Sequence, residues 1–521
     1  GDALTDADYN IAIGAEALKA DTIGSKTIAI GRQALKSQNM GSALDTHNIA
    51  IGYQAQGQST TALDNIAIGT IALFTNTTGR KNVAIGKGAL QFMNATDSSD
   101  TNNVAIGYNS GNDVTIGIQN VLLGNQSGEE LTGGSYNVAL GHHALGTDTS
   151  GSRSVAVGRV ALEAQNFSNA QEAYNVGVGY GAGQALTTGV QNTLIGGQAG
   201  DALTDADFNI AIGYGALGTN QLGSKCVAIG QGALVLANPS GAQDMHNVAI
   251  GHQAGNDLTT GTENTILGSE SGDKFDDASE NTAVGSNCLA SNCGNGNSAF
   301  GRMSLRDTTG THNTAIGHQS GILVAGGNDN TFLGKDSGAS VTSGSNNLLL
   351  GHDAGLSGEP GGSVTTQSNI VALGNSNITS LNCQVSLTVA SDERDKTDFT
   401  NLDLGLDFVK QLKPVTYKWD KRSKYGDKTA SDYDLNAQSP DGTHKEDWLD
   451  VGFKAQEVEA LEQAAGYNIS NKTNLTVTKS TDGKQYGMKY EKLIPVLTKA
   501  IQEQQALIES LTARISALEG E

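Results

Sequence analysis

Six of the seven residues after Ser391 are charged, and in "SDERDK" Lys396 stands five positions behind the serine. A serine hydroxyl attacks a carbonyl once a base has taken its proton. A lysine can be that base only where burial or neighbouring charge lowers its pKa from about 10.4. The same residues fit a plainer role, because a serine with acids close behind it caps a helix and suits its dipole. On the local residues alone the cap is the stronger reading.

Other residue types invite chemistry less. His142, His252, His318 and His352 each follow the Gly of a repeated pentapeptide. Imidazole is a metal ligand, and three assembled chains would bring such residues into rings of three. Tyr53, Tyr108, Lys87 and Asn125 hold the same place elsewhere, so a polar turn residue is expected, with no metal or cofactor. Acidic clusters such as "DALTDAD" read as solvated turns rather than calcium sites. No carboxylate pair stands out for glycoside hydrolysis. At 5% of the chain, aromatics are too sparse for a long sugar-stacking groove. Cys226, Cys288, Cys293 and Cys383 read as isolated thiols, since two nearby thiolates alone do not make a zinc site.

The elements that must position Ser391 and Lys396 come from a chain of two characters. Residues 391–521 hold 18 Lys+Arg and 23 Asp+Glu, and both tryptophans, Trp419 and Trp448. Residues 1–390 are glycine-rich, sparsely charged and net acidic. The total charge of −22 argues against nucleic-acid binding through phosphate neutralisation. No run of about 18 apolar residues encodes a transmembrane helix, so no membrane insertion is expected. The chain opens mid-pattern without an initiator Met, as a piece of something longer would.

Residues 1–374 repeat one motif: Asn, a branched apolar residue, a small residue, an apolar residue, Gly. It reads NIAIG at Asn10, Asn48, Asn65 and Asn209, NVAIG at Asn82 and Asn103, and NIVALG in a last, looser copy at Asn369. About twenty-one copies occur, most 17 and several 21 residues apart, so the longer units carry an insertion at one loop. "GDALTDADYNIAIG" at Gly1 returns as "GDALTDADFNIAIG" at Gly200. Alternation in NIAIG places both Ile on one face of a short strand, and the Gly permits a sharp turn. Stacked units are expected to merge their Ile and Val into a narrow core, with the Asn forming a side-chain amide ladder. At ~4.8 Å per turn the stack would be on the order of 100 Å long.

These repeats resemble the head repeats of trimeric bacterial adhesins of the YadA type, though the units are somewhat longer. The resemblance implies a left-handed parallel β-roll packed three to a spike. Residues 391–521 resemble the intramolecular chaperones that end endosialidases and other phage tail spikes and fibres. "SDERDK", "LGLDFVKQLKPVTYKW", "VGFKAQEVEAL" and "YEKLIPVLTKAIQEQQALIESLTARISALE" follow in the order of that family's elements. The resemblance implies a single self-cleavage between Ala390 and Ser391, with Ser391 as nucleophile, Lys396 as its base and Asp392 as a supporting motif residue. Asp395 stands where relatives often carry an apolar residue, and a carboxylate beside Lys396 favours its protonated form.

The closing helix has support of its own. Ile494, Ile501, Ile508 and Ile515 recur every seven residues, with Leu497, Gln504, Leu511 and Leu518 in the second seam. Ile at a with Leu at d leans towards two strands, while both resemblances imply three. The expected architecture is therefore an all-β parallel roll or solenoid over 1–374 and a connector over 375–390. A small α+β chaperone domain follows over 391–521, with its coiled-coil helix at 491–519. The implied protein is a homotrimeric phage tail fibre or spike, assembled in the host cytoplasm and carried on the virion tail. Its partners would be other tail proteins and a host-surface receptor, a glycan or an outer-membrane component. A bacterial surface adhesin head and a polysaccharide depolymerase are the alternatives. Enzymatic activity is at most self-cleavage.

Overall fold

The computed structural model describes residues 1–95, 99–359, 361–384, 388–426, 433–480 and 482–520. They fall into two compact units, Gly1–His312 and Asn313–Glu521. In the first, each motif forms a three-residue strand, from Ile11–Ile13 to Ser298–Phe300, paired in parallel with the next. The register is strict: Ile49, Ala50 and Ile51 lie against Ile66, Ala67 and Ile68. In the second unit the strands Thr314–Ile316, Thr331–Leu333, Leu348–Leu350 and Val371–Leu373 continue the pattern. The fold is a parallel β-solenoid followed by a small domain.

The inside of the solenoid differs from the expected Ile and Val core. In most strands the central residue is buried and its two neighbours face outward, half-buried or exposed. Ala29, Ala50 and Ala67 are fully buried, while Ile13 and Ile106 are exposed. A three-residue strand puts two side chains on one face and one on the other. The single inward place must be small, because the opposite wall already supplies a Leu, as at Leu35, Leu73 and Leu90. Where successive turns carry Gly on that wall, the strand centre of a later turn grows to fill the space over both. Leu122 fills the space over Gly111 and Gly128, Leu194 that over Gly183 and Gly200, and Phe332 that over Gly338. Volume is conserved although its source changes, as a close-packed interior demands.

The motif Gly is needed for close approach as well as for turning. Gly52 has φ 135°, and a Cβ there would lie 2.5 Å from the carbonyl oxygen of Gly69 in the next turn. The Asn column bonds chiefly to backbone, and at several steps also side chain to side chain, as from Asn120 Nδ2 to Asn103 Oδ1 at 3.2 Å and from Asn330 Nδ2 to Asn313 Oδ1 at 3.0 Å. Asn120 Oδ1 accepts from the Asn137 N–H at 2.9 Å, and its Nδ2 donates to the Gly134 carbonyl at 2.9 Å. One buried amide thus satisfies two main-chain groups of the following turn. The last copy is shifted by one residue: Ile370 N–H bonds to Asn347 Oδ1, and Asn369 takes the left-handed corner before it.

The small domain contains helices α1 (Leu406–Val409), α2 (Ala455–Ala464) and α3 (Leu493–Glu519). Val415–Tyr417 pairs antiparallel with Asp450–Gly452, and Val477–Lys479 with Tyr486–Met488. The helix expected from 491 begins at Leu493, after a 3-10 turn over Tyr490–Lys492. Among the described residues no helix is long and apolar enough to cross a membrane.

Candidate functional site

Ser391 and Lys396 lie on either side of a 3-10 turn, Glu393–Asp395. The turn forms because Asp392 caps it. Asp392 Oδ1 accepts from the Arg394 N–H at 2.9 Å, and its carboxylate pairs with the Arg394 guanidinium at 2.6 Å. The Arg394 hydrogen bonds hold the Asp392 carboxyl below the usual carboxylate range. Capping, which the local sequence offered to Ser391, is therefore done by Asp392. Ser391 is left free to meet Lys396, whose Nζ donates to Ser391 Oγ at 2.6 Å and to the Ser391 carbonyl at 3.2 Å. Among the described residues no ion pair joins Lys396 to Asp395. Ala390, Ser391 and Lys396 are all exposed in the single chain. The pair has the contact a nucleophile and its base need, and it lacks the dry surroundings that would make lysine a base. Residues 385–387 of the connector lie outside the described residues.

The seam residues of α3 are left uncovered by their own domain. Ile494, Leu497, Ile501, Gln504, Ile508, Leu511, Ile515 and Leu518 are all exposed, Ile501 at 64%. A different stripe, Leu493, Val496 and Ala500, is buried. Val496 packs with Leu404 and Phe408 in the domain's small core. The first turns of the helix thus pack on its domain, and from Gln504 to Gly520 every residue is exposed. Periodicity found the seam and missed Glu503, whose Oε2 accepts from the Leu406 N–H at 2.7 Å and caps α1. It also missed Glu462, buried with its carboxylate on the Leu475 and Thr476 N–H groups. The available signal for Glu462 was a pair of acids, Glu459 and Glu462, beside Val458 on one face of α2.

The same domain grips the last solenoid turn. Lys421 Nζ donates to the Ser376 carbonyl at 3.1 Å and Gln485 Nε2 to the Gly358 carbonyl at 3.0 Å. The Ser363 N–H donates to Asp482 Oδ2 at 3.4 Å. Of the histidines, His352 comes together with Asp336 and Asp353, their ligand atoms within 4.8 Å of one another. These groups already serve neighbours: His352 Nδ1 meets Asp353 at 3.1 Å and Asn375 at 3.1 Å, and Asp336 pairs with Lys335. His142 lies against His143, with ring centroids 4.6 Å apart and the rings tilted by 45°.

A family model described as chaperone of endosialidase, Peptidase S74, matches residues 391–467. The match begins at Ser391 and ends before α3. No curated protein and no solved structure matches the chain.

Proposed function

We propose that the chain is one subunit of a homotrimeric phage tail fibre or spike that attaches to a host surface. Its C-terminal segment starts assembly and then cuts itself free between Ala390 and Ser391. The observation that carries this reading is the 2.6 Å contact between Lys396 Nζ and Ser391 Oγ, at the start of a segment matched by the endosialidase-chaperone family. In the step, Ser391 Oγ attacks the Ala390 carbonyl carbon and Lys396 takes the hydroxyl proton. The peptide C–N bond breaks as an ester forms, and the proton passes to the freed Ser391 amine. Water then hydrolyses the ester, leaving the Ala390 carboxylate and restoring the hydroxyl.

Two exposed apolar faces support assembly from copies of this chain: the α3 seam and the outward Ile and Val rows of the solenoid. A stack of near-identical turns can slip register at little local cost, so chains need a common starting point. The domain's grip on Gly358, Ser363 and Ser376 supplies one at the last turn. Neighbouring chains would also dry the surroundings of Lys396, which ties cleavage to assembly. After release the fibre has no route back and is kinetically stable. Other tail proteins and a host receptor are its partners, on a virion tail assembled in the host cytoplasm.

Intact-mass measurement of freshly expressed protein tests the reading. Two fragments meeting at 390/391, replaced by one full-length species in Ser391→Ala and in Lys396→Ala, are expected. A wild-type chain that stays whole in a purified trimer sinks the cleavage. A wild-type chain that stays monomeric sinks the assembly.

A further inference from the structure

All seven tyrosines of residues 1–374 sit in two columns, one just before the motif Asn and one just after the motif Gly. The first column is a corner with left-handed backbone in every turn, where Gly or Asn costs least. Gly296 and Asn102 occupy it in their turns, yet Tyr9, Tyr136, Tyr174 and Phe208 sit there at φ 60°, 61°, 50° and 59°. All four rings are exposed, at 81%, 43%, 46% and 47%.

Above Tyr9, Tyr136 and Phe208 the next residue up the column is a base, Lys26, Arg153 and Lys225, while above Tyr174 it is Gln191. These bases open the longer, 21-residue units. Each such unit adds a run of exposed residues, 41–45, 168–172 and 240–244, and the last residue of each run is an acid. That acid reaches back to the base: Lys26 to Asp45 at 2.6 Å, Arg153 to Glu172 at 2.9 Å, Lys225 to Asp244 at 2.5 Å. The Arg153 guanidinium lies 4.8 Å from the Tyr136 ring centre. A fourth long unit keeps the pair, Lys81 to Asp100 at 2.6 Å, and carries Asp64 where the ring would be. Ring, base and acid thus recur in the same order three times along one edge, with the base over the ring at Tyr136 and also 5.8 Å from the Tyr174 ring centre.

Fold stability does not explain these clusters, since exposed ion pairs contribute little and open rings bury little apolar area. We propose that they are three pyranose-binding subsites and that this edge takes an extended, polyhydroxylated polysaccharide. An open aromatic ring offers an apolar face to the C–H side of a sugar. The neutralised base and acid offer a fixed donor and acceptor to neighbouring hydroxyls, and the exposed loop forms a side wall. At ~4.8 Å per turn, Tyr136 and Phe208 are about 19 Å apart along one straight column, which suits a linear chain. Each subsite is weak alone, and repetition supplies avidity. Sparse aromatics, taken as evidence against sugar stacking, are here concentrated by the fold. The inference rests on the surface-attachment reading and names the chemistry of its receptor.

The test is binding of the full chain to an array of purified bacterial capsular and lipopolysaccharide O-chain polysaccharides. Tyr9→Ala, Tyr136→Ala and Phe208→Ala together are expected to weaken binding about tenfold or more, and each alone about threefold. Tyr53→Ala with Tyr108→Ala, on the other column, should leave it unchanged. Array binding that the triple variant retains, or no array binding by the wild type, overturns the subsites. A panel of intact bacteria separates the two readings. Wild-type protein that adheres to none of them sinks attachment itself. Adhesion that survives in the triple variant, or survives periodate oxidation of the cell-surface sugars, overturns the subsites and leaves attachment standing.

Discussion

The solenoid and the small domain answer the same problem in different ways. In the solenoid each turn satisfies the next: Asn120 bonds Asn137 and Gly134, and the next turn repeats the arrangement. Its interior is thin, with alanines and single leucines in place of a broad core. In the small domain single long-range contacts hold the fold, such as Glu503 on α1 and Glu462 on Thr476. Repetition makes the first region easy to extend and easy to misalign. The second is unique in register and can therefore set it. Both leave apolar surface outward.

The comparison can be broken at the turn-to-turn stack, where the largest effect is expected. Gly69→Ala places a Cβ 2.5 Å from the Gly86 carbonyl oxygen at φ 140°. It should cost about 4 kcal/mol or more, read as a fall in the urea midpoint. Asn120→Ala leaves the buried Asn137 N–H and Gly134 carbonyl without their side-chain partner, and should cost about 3 kcal/mol in the same measurement.

Volume exchange inside the solenoid gives a sharper test. Leu122→Ala should cost about 3 kcal/mol. Adding Gly128→Leu should recover part of that loss, because Leu already sits in the corresponding left-handed corner at Leu145, beside Ala139. No recovery would mean that the strand centre and the opposite wall do not share one space.

In the small domain, Ile501→Asp with Ile508→Asp alters only exposed seam positions. The single chain should keep its stability within about 0.5 kcal/mol, while the proposed trimer should be lost in sedimentation. The smallest effect is chemical. Burial pushes the thiols of Cys226, Cys288 and Cys293 up to about 12, so at pH 8 almost no thiolate is present. Native protein should take one maleimide, on the exposed Cys383, as read by mass spectrometry.

Much of this was legible in the residues. The repeat, its long units and the seam of α3 are periodic, and periodicity survives without coordinates. The pairing of Ser391 with Lys396 was legible only as a resemblance, since the same letters describe a cap. Three-dimensional closure of the turn by Asp392 and Arg394 brought the two side chains together. The clusters at Tyr9, Tyr136 and Phe208 were hidden because their members are 17 and 19 residues apart, and a stacked coil makes such separations adjacent.

By itself the sequence determined that short strands must stack in parallel, because each NIAIG unit has an apolar face it cannot cover alone. Only the tertiary structure decided which way that face points. Alternation assigns Ile and Ala to opposite sides without saying which side has room. The space beneath the strand is set by the far wall, where Leu35 or Gly128 already sits, and that leaves the inside to alanine and sends isoleucine out.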